Sequence, residues 1–275
     1  MKYETTDFHL HTACSECCLD KTNTTVANLI ARADELGYET IGITDHSYLS
    51  GAEDWKMIKQ ARAEIKNAKG KHHVHALLSA EVEMMPEGAL RMDRELAAQL
   101  DYILVASSHF HFLGKENPNH YSPRQAAEIM LHYFQKAIET GVADIIAHPL
   151  LNLYNALGSL DEIVTSMKDD EILSVLKMAG QKKIAVDMNI GLFENSWWVP
   201  RKERERGGIL WGPEGQVRFY RLCKEAGVKI AAASDAHSLE HFGATRLLKP
   251  WVREIGLNDD DFIDYDWIRK NKHFN

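Results

Sequence analysis

The sequence predicts an α/β protein built from βα units around a parallel sheet. Three observations carry this reading. Short β-branched runs alternate with longer amphipathic stretches along the chain. Seven strand-like runs can be counted, and each finishes in residues able to bind a metal or a polar ligand. At 275 residues the chain has the size at which α/β barrels fold as a single domain, here expected to span 1–275.

In chain order, Thr5–Phe8 leads into His9-Leu10-His11, and Thr40–Thr44 leads into Asp45-His46. Val74–Ala80 leads into Glu81, and Tyr102–Ser108 into His109. Asp144–Ala147 leads into His148-Pro149, Ile184–Val186 into Asp187 and Asn189, and Lys229–Ser234 into Asp235-Ala236-His237. The first helix is bounded by the capping residues Asn23-Thr24-Thr25 and by Gly37. Val26, Leu29, Ile30 and Ala33 share its apolar face. Further helices are expected over about Ala52–Ala68, Asp93–Gln99, Pro123–Thr140, Leu160–Ala179, Glu214–Ala226 and a C-terminal stretch. The segment from Gly191 to Gly212 lacks periodicity and carries Trp197-Trp198 with Arg201, Lys202, Arg204 and Arg206. A loop of that length in a compact domain is usually functional or mobile.

Composition narrows the classes. Lys and Arg total 32 against 40 Asp and Glu, a formal charge of −8, which does not favour wrapping a long nucleic acid. The N-terminus lacks an apolar signal region, and no apolar run reaches the roughly 20 residues a membrane span requires, so a cytoplasmic protein is expected. The four cysteines, Cys14, Cys17, Cys18 and Cys223, are expected to be reduced and mostly structural.

The strand ends carry the chemistry. In a parallel barrel they converge on one face, where the active site is built. Strand alternation puts His9 and His11 on one side, and likewise Asp235 and His237. One buried His would ordinarily be structural, but His9, His11, His46, His109, His148 and His237 all occupy strand ends. With Glu81 and Asp235 they exceed the four ligands of one zinc ion, which points to a multi-metal site. His111, two beyond His109, is expected to face the pocket and touch substrate. His72, His73, His75, His120, His132, His241 and His273 read as solvated or structural.

Together, His9-x-His11-Thr12, Thr44-Asp45-His46-Ser47, Glu81, Ser108-His109, Ala147-His148-Pro149 and Ser234-Asp235-Ala236-His237-Ser238 resemble the polymerase and histidinol phosphatase (PHP) family. Asp101-Tyr102-Ile103 and the Gly227-Val228 to Ser238 close resemble its histidinol-phosphatase branch. The resemblance implies a distorted TIM-like (β/α)7 barrel hydrolysing phosphate monoesters with two or three divalent metals, zinc, manganese or iron. It implies that His9, His11, Glu81 and Asp235 hold one metal, and that Glu81 bridges to a second completed by His109 and His148. His46 and His237 would hold a third with a residue of the first motif, for which Glu16 is favoured over Cys17 as an oxygen ligand. Glu83 rivals Glu81 as the bridge. A metal-bridging hydroxide would attack phosphorus, with Glu81, Asp235 and His237 as the catalytic set. Asp7 and Asp45 are candidates for orienting the histidines. Arg201 and Arg204 are expected to bind substrate, with Arg246 a further candidate cation. The expected partner is a small phosphorylated molecule, histidinol phosphate of histidine biosynthesis first. A nuclease or nucleotide phosphatase is the alternative, and a non-catalytic scaffold should have lost several ligands that are present here. The sequence sets no oligomeric state.

Overall fold

The computed structural model describes residues 1–109, 113, 121–150, 160–193 and 213–273. The strands are β1 (Thr6–Leu10), β2 (Thr40–Ile43), β3 (His46–Ser47), β4 (His75–Leu78), β5 (Glu81–Glu83), β6 (Leu104–Ala106), β7 (Ile145–Ala147), β8 (Ala185–Asn189) and β9 (Ile230–Ala233). Between them lie α1 (Val26–Glu35), α2 (Ala52–Ala68), α3 (Arg94–Ala97), α4 (Pro123–Glu139), α5 (Leu160–Thr165), α6 (Asp169–Gln181) and α7 (Pro213–Glu225). The chain then adds α8 (Lys249–Ile255) and α9 (Tyr265–Asn271). No helix among the described residues is long and apolar enough to cross a membrane.

Every strand pairing is parallel, in the orders β1-β2-β4 and β3-β5-β6-β7-β8-β9. The first and last strands also meet. Leu10 bridges Ala236, His11 N–H donates to Ala236 O at 3.1 Å, and Asp235 N–H donates to His9 O at 2.9 Å. The result is the distorted TIM-like barrel that the family resemblance implies.

Two expected runs are each split from a second short strand beyond their end, β2 within Thr40–Thr44 being followed by β3 and β4 within Val74–Ala80 by β5. At the first break the Thr44 hydroxyl takes over strand backbone groups, accepting from Leu10 N–H at 3.0 Å and donating to Leu10 O at 3.1 Å. Taken as single strands, the split pairs make the seven expected runs. The expected helix over 160–179 is likewise two helices, α5 and α6.

The helices follow local rules. Thr25 caps α1 by accepting from Asn28 N–H at 3.2 Å, and Gly37 adopts φ +71 just beyond the helix. The outward side chains of the strands, such as Ile41, Val82, Val105, Ile146 and Val186, pack against the buried helix faces. The inward ones, Phe8, Leu77, Tyr102, Leu104, Ile145 and the small Ala106, Ala147, Ala185 and Ala231, fill the barrel with Ile263 and Ile268. Ile268 lies on α9, so the C-terminal segment completes this inner core.

Gly42 in β2 has no room for a side chain. A Cβ there would lie 1.8 Å from the Tyr102 hydroxyl, which donates to Phe8 O at 2.6 Å. Gly42→Ala should therefore lower stability by about 3 kcal/mol, and Tyr102→Phe alone by about 1 kcal/mol. The double variant should recover part of the first loss, because the clashing hydroxyl is gone. Denaturant midpoints of the four proteins check this, and additive losses would refute the steric account.

Candidate metal centre

The C-terminal strand ends deliver the expected residues to one mouth of the barrel. Ligand atoms of His9, His11 and Asp235 lie within 4.8 Å of one another, as do those of His9, Glu81 and His148, and of His46, Glu81 and His109. A fourth group on the same criterion joins His11, Cys17, His46 and His237.

Glu81 stands at the junction of these groups. Its Oε2 lies 3.4 Å from His9 Nε2, 3.4 Å from His11 Nε2 and 3.0 Å from His46 Nδ1. Its Oε1 lies 3.1 Å from His148 Nε2 and 3.7 Å from His109 Nε2. Glu83 accepts from His46 Nδ1 at 2.9 Å, a nitrogen it shares with Glu81, and from His109 Nδ1 at 2.9 Å, where it holds the ring from behind.

The same pattern governs all six rings. His9 Nδ1 donates to Asp187 Oδ2 at 3.0 Å, and His237 Nδ1 to the Asp235 carbonyl at 2.7 Å. Ser15 gives its hydroxyl proton to Asp45 at 2.6 Å, so it accepts from His11 Nδ1 at 3.0 Å. Ser108 gives its proton to the His148 carbonyl at 3.0 Å and accepts from His148 Nδ1 at 3.2 Å. With Nδ1 protonated and tethered, each ring is left with an Nε2 lone pair.

Those of His9, His11, His109 and His148 face other acceptors. His9 Nε2 and His11 Nε2 are 3.1 Å apart, and Asp235 Oδ1 is 3.1 Å from His11 Nε2. Glu81 Oε1 is buried with no aligned hydrogen-bond donor. Buried acceptors pointed at one another repel unless a cation lies between them, so the donor set fits divalent ions. Without ions the cluster demands protons. Burial pulls the His9 pKa down, but Asp235 and Glu81 outweigh it and hold it well above the ordinary value. Burial, with His237 and His46 nearby, pushes His11 well below its ordinary value. Burial opposes ionisation of Asp235, yet the surrounding histidines hold its carboxyl well below the usual range.

Two of these residues sit on costly backbone. His148 has φ +23 and Asp235 φ +54, regions that L side chains rarely adopt. His148 is pinned by its N–H donating to Asp187 Oδ1, and Asp235 by its N–H bond to His9 O and by Asn189 Nδ2 at 3.1 Å. Strain of order 1–3 kcal/mol per residue persists where surrounding bonds over-determine the geometry.

Several expectations change. Glu16, the favoured residue of the first motif, is exposed and belongs to none of the ligand groups, whereas its rival Cys17 does. The turn Thr12–Cys18 is the reason: its register sends Glu16 outwards and Cys17 towards His46 and His237. Burial raises the Cys17 thiol pKa, but hydrogen bonds with His237 and His46 bring it down to about 7. Asp45 orients His11 through Ser15 rather than directly, and also accepts from Thr12 N–H and hydroxyl at 2.7 Å each. Asp7 accepts backbone N–H bonds from His9 and Ser234 instead of holding a ring, and burial raises its carboxyl to about 7. Arg246 is spent elsewhere, bonded to Glu4 O and Leu36 O and stacked 5.1 Å over Tyr38. His111, Trp197, Trp198, Arg201, Lys202, Arg204 and Arg206 lie outside the described residues.

The structural reading holds for several other histidines. His72 pairs with Asp34, His273 with Asp144, and His75 stacks on Tyr265. The orienting role of Asp187 was only half visible: its strand-end position was plain, but not that it serves His9 and His148 together.

Fold and centre together define a metal-dependent hydrolase on a TIM-like barrel. A family model described as the PHP domain matches residues 7–191, more than half of the chain, and the chain belongs to that family. The structure is similar to that of histidinol phosphate phosphatase from Lactococcus lactis subsp. lactis complexed with zinc, L-histidinol and phosphate. The TM-score is 0.54 at 16% identity, covering 95% of this chain and 99% of that one. A more distant likeness is to adenine deaminase from Arthrobacter aurescens, with TM-score 0.46 and 14% identity over 98% of this chain and 80% of that one. No curated protein sequence matches the chain.

Removing Asp187 should loosen the centre without touching a ligand position. Asp187→Ala is expected to weaken divalent-metal binding by roughly 10–100-fold, read by competition with a chromophoric chelator. Unchanged affinity would show that Asp187 does not position His9.

Proposed function

We propose that this chain is a metal-dependent phosphomonoesterase acting on a small phosphorylated molecule. The observation that carries the reading is the set of buried acceptors meeting at Glu81, which is larger than a single ion requires. Family membership directs that chemistry to phosphate esters. Two or three divalent ions, zinc, manganese or iron, would be held by His9, His11, Asp235, Glu81, His148, His109, His46 and His237. Bound there, they supply positive charge to phosphoryl oxygens and make hydroxide accessible at neutral pH.

The chain's own groups do the positioning. Glu81 presents its two oxygens to different ring sets, so one carboxylate ties the groups together. Asn189 restrains Asp235 Oδ2 while Oδ1 faces His9 and His11. Glu83 and Asp187 hold ring protons at Nδ1, so the opposite nitrogens of these rings are the ones offered to an ion. Rings held in one orientation cost little reorganisation when charge develops on the substrate. His111, Arg201 and Arg204 are the proposed substrate contacts.

Histidinol phosphate is the first substrate to test, because the similar Lactococcus lactis enzyme is complexed with L-histidinol and phosphate. The net charge of −8 supports a small ester over a long nucleic acid. The test measures phosphate release from histidinol phosphate, sugar phosphates and nucleotides by protein loaded with zinc, manganese or iron. Chelation should abolish turnover and metal should restore it. Asp235→Asn and Glu81→Gln should each lower kcat/KM by on the order of a hundredfold or more. Preference for nucleotides would favour the nucleotide-phosphatase alternative. A folded protein that binds no divalent ion and releases no phosphate overturns the proposal.

A further inference from the structure

The loop after β1 carries Cys14, Cys17 and Cys18, and the chemistry described so far uses none of their thiols. Cys14 and Cys17 are exposed, and Cys18 is buried. Cys17 alone among the three joins a ligand group, with its sulfur within 4.8 Å of ring nitrogens of His11, His46 and His237.

The loop is built to hold that sulfur in place. On one side of Cys17, the Ser15 hydroxyl is bound by Asp45 at 2.6 Å, and Ser15 O accepts from Cys18 N–H at 3.1 Å. On the other side, Leu19 N–H donates to the carbonyl of His237 at 2.8 Å. Cys17 is thus clamped by its neighbours to Asp45 and to His237.

The rings in this group are not equally available. His11 Nε2 lies 3.1 Å from both His9 Nε2 and Asp235 Oδ1, and its Nδ1 is held by Ser15. Both its nitrogens are committed to the deeper group. His46 and His237 have Nδ1 tied to Glu83 and to the Asp235 carbonyl, which leaves each an Nε2 lone pair. The set that remains is one sulfur and two imidazole nitrogens, with a fourth position for water or substrate, as in catalytic zinc sites.

We propose that Cys17 is a metal ligand, and that with His46 and His237 it forms a thiolate–imidazole position taking a soft divalent ion of the zinc class. The inference rests on the metal-dependent reading above and deepens it: the outer position differs in selectivity from those around Glu81 and Asp235. Carboxylate oxygens accept zinc, manganese or iron, whereas thiolate disfavours manganese and magnesium. Manganese therefore fills the deeper positions and leaves the outer one to zinc.

The experiment uses the full chain, stripped of metal and reloaded with zinc or with cobalt(II) as a spectroscopic stand-in. The cobalt protein should show a thiolate-to-cobalt charge-transfer band in the near ultraviolet. Cys17→Ala should abolish the band and bind about one zinc fewer per chain, while circular dichroism and the remaining ions are retained. Glu16→Gln and Cys14→Ala should keep both signals. In the wild-type chain, bound zinc should also protect Cys17 from iodoacetamide, read by peptide mass spectrometry, and manganese should not. No charge-transfer band in the wild type, an unchanged band in Cys17→Ala, or loss of an ion in Glu16→Gln overturns the proposal. Because these readouts are stoichiometry, absorption and alkylation, they are independent of phosphate release. A cobalt–thiolate band without turnover would sink the phosphomonoesterase reading alone, and turnover without the band would sink this one alone.

Discussion

Everything at the barrel mouth depends on where six imidazole protons sit. Each ring of His9, His11, His46, His109, His148 and His237 has its Nδ1 engaged by an acceptor, that of His46 by Glu83 and Glu81 together. A neutral imidazole has one N–H and one lone pair, so tethering the proton on one edge aims the lone pair from the other. The acceptors differ in kind: carboxylates, two serine hydroxyls that are themselves spent as donors, and one backbone carbonyl. What they share is that none can donate back to the ring. Loss of one acceptor would free its ring to rotate or change tautomer, and the convergence on Glu81 and Asp235 would loosen with it.

That arrangement is expensive for the apo chain. Carboxylates and ring nitrogens are packed in a buried space where their mutual repulsion is poorly screened. Two residues also accept left-handed backbone, His148 and Asp235, each next to the strand end that positions it. The barrel supports these costs from below, where Phe8, Tyr102, Leu104 and a set of alanines fill the interior and Ile263 and Ile268 close it. Small inward side chains on β6 to β9 leave space for the bulky Phe8 and Tyr102, which is why Gly42 has none at all. Core and centre are thus consecutive layers of the same strands, apolar at one end and ligating at the other.

Much of this could be read without coordinates. Short β-branched runs located the strands, and 3.6-residue periodicity located the helices, because both report burial. The ends were less legible. β2 stops at Ile43 because the Thr44 side chain takes over the backbone groups of Leu10, which hydrophobicity does not register. The helix over 160–181 breaks in two at a segment whose composition carries no Gly or Pro to announce it.

By itself, the sequence determined that the chain is an α/β barrel and that six histidines and two carboxylates gather at its strand ends. The parallel α/β order follows from the alternation of strand and helix runs, the barrel from the family resemblance, and the gathering from the rule that parallel strands share one direction. Only the tertiary structure decided which side chains support that gathering. Asp187 and Glu83 are strand carboxylates like Glu81, yet Asp187 stands behind His9 and Glu83 behind His109 while Glu81 stands between the rings. Glu16 and Cys17 are adjacent in sequence, and the loop's hydrogen bonds turn one to solvent and the other to His46 and His237. Such choices turn on a single residue's register, and they are set by contacts between segments far apart in sequence.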